Sequence, residues 1–170
     1  MKNSESLNPD LNPFIAKFFD TVYNWGTQQF IKDGKLELAH CFMYAGGKIV
    51  HIPIPMINKN GVSAFLSIAA KTIKPTALTF VSECWMVVKK MDDDRPLNEI
   101  KKEFRGINVS EQPDKTECLM FVNETKLVSN TVAVNIIRDK DGIPKLGDSK
   151  SSTGGEGRFV NLLCDPVNEN

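Results

Sequence analysis

A chain of 170 residues is long enough for one domain with a real core. Its 41% hydrophobic and 25% charged residues are those of an ordinary globular protein and argue against bulk disorder. Lys+Arg and Asp+Glu number 21 each, so no net positive field exists to hold a polyphosphate backbone, which argues against non-specific nucleic-acid binding.

Residues 1–10 are polar and read as a flexible tail with no apolar h-region, so no secretory signal is expected. Asn12-Pro13 then has the form of an N-cap followed by proline at the first helical position. Leu11, Phe14, Ile15, Phe18, Phe19, Val22 and Tyr23 recur at helical spacing and predict a helix to about Lys32, stopped by Gly34. Gly26 lies inside this helix and is expected to weaken or bend it. The aromatic stripe is either a partner-binding face or the side that packs on a sheet.

Two alternating runs, 36–44 and 48–54, flank Gly46-Gly47 and predict a β-hairpin with a two-residue turn. Asn60-Gly61 opens a second helix with Val62, Phe65, Leu66, Ala69 and Ile73 on one face, ended by Pro75. Residues 77–88 are apolar at successive positions, the pattern of a central strand covered on both faces. The polar stretch 89–114 is the longest irregular segment. Strands resume at 117–123 and 128–138, with a turn at Asp141-Gly142. Residues 147–157 read as a flexible Ser/Gly/Lys-rich loop, Arg158–Cys164 as a last strand, and 166–170 as a tail. The expected architecture is therefore one α+β domain over 11–165. It is a largely antiparallel sheet of about 5–7 strands with two main helices, in the order α-β-β-α-β-loop-β-β-β.

No apolar run approaches the ~20 residues that span a bilayer. Cys41, Cys84, Cys118 and Cys164 are far apart, have apolar neighbours and form no Cys-x-x-Cys, so they read as four reduced thiols in or near the core of a cytoplasmic protein.

The hairpin gives the sharpest geometric inference. With Gly46-Gly47 as the turn, Ala45 faces Lys48, Phe42 faces His51 and His40 faces Pro53. His40 and His51, the two histidines of the chain, then share one face as diagonal neighbours roughly 7–8 Å apart at the backbone. Such a pair could suit a shared ligand, a metal with a third ligand, or an acid–base pair; the favoured reading is two half-buried histidines packed beside aromatics. A second candidate is Glu83, mid-strand between Val81 and Trp85 on one face. A carboxylate there must be paired, hydrogen-bonded or raised in pKa by desolvation. It is either a functional group or half of a structural ion pair. The carboxylates of 110–117 at a strand entrance could bind a cation or place a base; the default reading is a solvated turn in which Asp114 and Glu117 could pair with Lys115 or Arg105.

Several familiar motifs fail. Asp139-Lys140-Asp141-Gly142 lacks the remaining ligands of a calcium loop. Gly154-Gly155-Glu156-Gly157-Arg158 is not followed by Gly-Lys-Ser/Thr, although Arg158 with the glycines would suit an anion nest. His40 and Cys41 are adjacent on a strand and face opposite ways, so they form no dyad. No cofactor and no metal are implied.

Ser82-Glu83-Cys84-Trp85-Met86, followed by Ser110-x-x-Pro113-Asp114-Lys115-x-Glu117-x-Leu119-Met120, resembles a group of small bacterial and phage proteins without an assigned activity. In that group a strand ends in Ser-Glu-Ala-Trp-Met and a later strand is entered through Pro-Asp-Arg-x-Glu; here Cys84 and Lys115 replace the alanine and the arginine. The resemblance covers about 76–137. It implies a phage or mobile-element source, hence the host-cell cytoplasm, and singles out Glu83, Trp85 and Glu117.

Three functions are weighed. The first is a non-catalytic binding or accessory protein that engages a host protein or a small ligand, with Trp85, Tyr44, Glu117 and Arg158 as candidate contacts and homo-oligomers left open. The second is a small hydrolase with Glu83 as acid or base and His40 and His51 as ligands or proton carriers. The third, least favoured by charge, is a nucleic-acid binder.

Overall fold

The computed structural model describes residues 12–55, 59–86 and 111–153, together with Leu163. The tails, most of the polar stretch 89–114, Arg105 and Arg158 lie outside the described residues. The elements run α1 (Pro13–Asp33), β1 (Ala39–Ala45), β2 (Lys48–Ile54), α2 (Lys59–Ile73), β3 (Ala77–Met86), β4 (Thr116–Thr125), β5 (Ser129–Arg138) and β6 (Pro144–Thr153). The expected α+β order is the order observed, and the strands form one sheet, β2-β1-β3-β4-β5-β6, antiparallel throughout. Among the described residues, no helix is long and apolar enough to cross a membrane.

Helix α1 starts where Asn12 Oδ1 accepts from Phe14 N at 2.9 Å and Pro13 takes the first helical turn. It ends at Gly34, whose φ of 71° is the left-handed cap that glycine adopts without a Cβ clash. Gly26 neither stops nor interrupts it. A Cβ there would lie 2.7 Å from the Phe121 ring and 3.3 Å from Val81, so this glycine lets the helix backbone settle onto β3 and β4. The expected weakening is offset by close packing.

Each sheet face carries one helix. On the first, Phe18, Phe19, Val22 and Phe30 of α1 pack on Phe42, Val81, Leu119, Phe121 and Val134. On the second, Val62, Leu66 and Ala70 of α2 pack on Cys41, Met43, Leu78, Phe80 and Val122. Phe65, assigned by periodicity to the buried side of α2, is 52% exposed. At 100° per residue it falls on the flank of a stripe centred on Val62, Leu66 and Ile73.

The C-terminal third corrects the sequence reading. Residues 147–153 are not a loop but the second half of β6, which pairs with β5 across the Asp139–Gly142 turn. A Ser/Lys-rich segment forms a strand here because backbone pairing, not side-chain burial, holds an edge strand, and lysines on an edge discourage further pairing. Leu163, the described residue of the expected last strand, is in no strand.

Candidate functional site

The hairpin turn places both Gly46 and Gly47 at positive φ, 56° and 78°, and fixes the register Phe42↔His51 and His40↔Pro53. His40 and His51 consequently meet on the α1 face, with His40 Nδ1 and His51 Nε2 3.0 Å apart. One imidazole donates and the other accepts. Phe42 stacks on His51 with ring centroids 4.3 Å apart, and Trp25 of α1 sets its edge against both histidines, 4.7 Å from His40 and 5.3 Å from His51. Burial holds both imidazoles below their ordinary pKa, and His51 lowers His40 further. They form a neutral, hydrogen-bonded pair within an aromatic cluster.

Trp25 is the residue of this cluster that the sequence reading omitted. Its signal was present in the continuation of the Phe18–Val22 spacing to position 25. The rotation of α1 over the sheet, which aims Trp25 at β1, is a tertiary property that periodicity does not carry.

Glu83 lies on the same sheet face as both histidines. His40 is directly opposite Val81, so Glu83, two residues along β3, is its diagonal neighbour. The side chain turns the other way. Its Oε2 accepts a hydrogen bond from the Leu36 amide at 3.0 Å, beneath the segment that joins α1 to β1. Its Oε1 is buried and has no hydrogen-bond partner among the described residues. Desolvation raises its pKa; the Leu36 amide opposes that rise, Glu117 adds to it, and Arg138 and Lys35 oppose it. Glu83 thus meets a backbone amide rather than the side chain of a lysine, arginine or histidine.

The other candidates lie apart from this pair. Glu117 is held by a fork of two bonds from Arg138, Nε to Oε2 at 2.8 Å and Nη2 to Oε1 at 2.6 Å. Its partner therefore comes from β5, one strand over, rather than from the neighbouring turn. Trp85 is 45% exposed, with Lys115 Nζ 4.9 Å from its ring. Tyr44 stacks on Phe18 at 5.6 Å, inside the α1 core. Among the described residues, no three His, Cys, Asp or Glu side chains are grouped to hold a metal ion.

A separate surface lies at the β2 edge. Ile49 and Val50 are exposed there, and an open apolar groove of about 400 Å³ runs beside it, lined by Ile52, Pro53, Ile54, Pro55, Gly61, Val62 and Phe65. No family model matches the chain, and neither does any curated protein or solved structure.

Proposed function

We propose that the chain is a non-catalytic binding or accessory protein that engages another protein along the β2 edge. The observation that carries this reading is the apolar groove between β2 and α2, with the exposed Val50 on the same face of the sheet. An extended partner segment would pair with the outer backbone of β2 before Pro53, which has no N–H to offer, and seat an apolar side chain against Phe65. On the resemblance of the 82–86 and 110–120 motifs, the partner would be a host protein. Photocrosslinking from position 50 tests this, with position 140 on the Asp139–Gly142 turn as the control. A different protein captured at 50 alone, and lost in Phe65→Ser, is the expected result. Crosslinks to a second copy of the chain, or equal capture from both positions, would overturn it.

The hydrolytic reading has one observation in its favour, the diagonal placement of Glu83 beside His40 on one sheet face. It requires Glu83 to leave Leu36 and swing toward the imidazoles. Turnover of nucleotides or esters by the purified chain, abolished in Glu83→Gln, would replace the binding reading with this one. The balanced charge leaves the nucleic-acid reading without support of its own.

A further inference from the structure

Cys84 and Cys118 stand directly opposite each other on antiparallel β3 and β4, with their Sγ atoms 3.4 Å apart. Both side chains lie on the α2 face of the sheet, away from the histidines and Glu83. Met120 Sδ is 3.8 Å from Cys84 Sγ, so three sulfurs gather at one spot. Opposed residues of an antiparallel pair have Cα atoms about 4.5 or 5.5 Å apart, and either separation falls within the range a disulfide spans. Cross-strand Cβ atoms sit about 4.5–5.5 Å apart, wider than the mean of about 3.8 Å in disulfides, so a bond here carries strain. Strain makes a disulfide easier to reduce, the property of a reversible bond rather than a permanent one.

We infer that Cys84 and Cys118 form a reversible redox couple, converted to a cross-strand disulfide by a small-molecule disulfide of the oxidised-glutathione class. Cys84 is half-buried and Cys118 is fully buried, so Cys84 meets the oxidant first. Cys84 loses its proton, and its thiolate attacks one sulfur of the oxidant and releases the first glutathione as a thiolate that takes up that proton, leaving a mixed disulfide on Cys84. Cys118 then loses its proton and attacks the Cys84 sulfur, and the second glutathione departs as a thiolate that takes up that proton. Two protein thiols are oxidised and one glutathione disulfide is reduced to two thiols. Before the first step, the hydrogen bond to Cys84, with burial adding to it, holds the Cys118 thiol in its protonated form. Forming the mixed disulfide removes that thiol–thiol hydrogen bond. Buried Cys41, between β2 and β3 on the next strand, has no such partner among the described residues and stays reduced.

The test is incubation of the full native chain with oxidised glutathione, followed by alkylation of remaining thiols and peptide mapping. The expected result is a Cys84–Cys118 link with Cys41 and Cys164 alkylated, reversed by reduced glutathione. Cys118→Ser is expected to accumulate the glutathione adduct on Cys84 that the wild-type chain resolves, and Cys118→Ala repeats the measurement where serine disturbs the core. The inference is overturned if all four wild-type thiols remain. It is equally overturned if Cys84 retains glutathione in the wild-type chain, or if Cys84 is linked to Cys164 or to a second copy. The wild-type map decides alone, whatever the variants do.

Discussion

Glu83 accepts a hydrogen bond from the Leu36 amide while its second oxygen is buried with no partner among the described residues, so one carboxylate ties β3 to the α1–β1 connection at a cost in desolvation. The folded state raises its pKa above the ordinary 4.5. Below pH 4.5 the group is protonated in both folded and unfolded chains and makes no pH-dependent contribution. As pH rises from 4.5 through the raised value, the unfolded chain ionises first, and stability falls until the folded group has ionised too. Glu83→Gln keeps an acceptor for Leu36 and removes this decline, so its urea midpoint should lose less than that of the wild-type chain between pH 4.5 and 7.5. Glu83→Leu strands the Leu36 amide and is expected to cost about 1–3 kcal/mol. Equal pH slopes for wild-type and Glu83→Gln would show that Glu83 is not the source.

The imidazole pair works in the opposite sense. Both folded pKa values lie below the ordinary 6.5, so the unfolded chain takes up protons first as pH falls. The stabilisation is fully present above pH 6.5 and is lost as pH falls through the folded values. Protonating both rings also destroys the 3.0 Å hydrogen bond, since two imidazoliums have donors only. The expected result is a fall in stability from pH 7.5 toward 5, with both NMR titration midpoints below 6.5. His51→Phe, which preserves the stack on Phe42, should flatten that fall. The ring contacts make Trp25 a local reporter, and its fluorescence should change over the same interval.

Gly26→Ala separates helix propensity from packing. In an exposed helix this change would stabilise by about 1 kcal/mol. Here the added methyl meets two Phe121 ring atoms at 2.7 and 2.9 Å and Val81 at 3.3 Å. The phenyl ring is itself fully buried against Tyr23, so it has little room to give. Net destabilisation of about 1–3 kcal/mol is expected from urea unfolding. A more stable Gly26→Ala variant would mean that α1 does not sit this close to the sheet.

These contacts show where sequence legibility ends. The hairpin register was legible because only glycine readily takes positive φ at both turn positions, and once Gly46-Gly47 is the turn, every pair up to Ala39↔Ile54 follows. The centrality of β3 was legible from apolar residues at both parities. The partner of Glu83 was not legible, because it is a backbone amide, and amides carry no residue code. The Glu117–Arg138 fork was hidden for a related reason: it depends on which strand lies beside β4, a fact of sheet order rather than of local pattern. Strand β6 escaped because an edge strand needs no apolar alternation to pair.

Oxidation of Cys84 and Cys118 should alter stability in a way that geometry makes measurable. The two residues are 34 apart in sequence, and closing a loop of that size removes unfolded-chain entropy worth about 3–4 kcal/mol before strain is subtracted. The cross-strand Cβ spacing introduces strain, so the net gain should fall below that figure while remaining positive. The oxidised chain is therefore expected to unfold at a higher urea concentration than the reduced chain, with a smaller m-value because its unfolded state is more compact. The shift should vanish in Cys84→Ser, measured against the same variant under reducing conditions. A disulfide that lowered the urea midpoint would mean that strain exceeds the entropic gain, and β3 and β4 would then have to move apart locally to accommodate the bond.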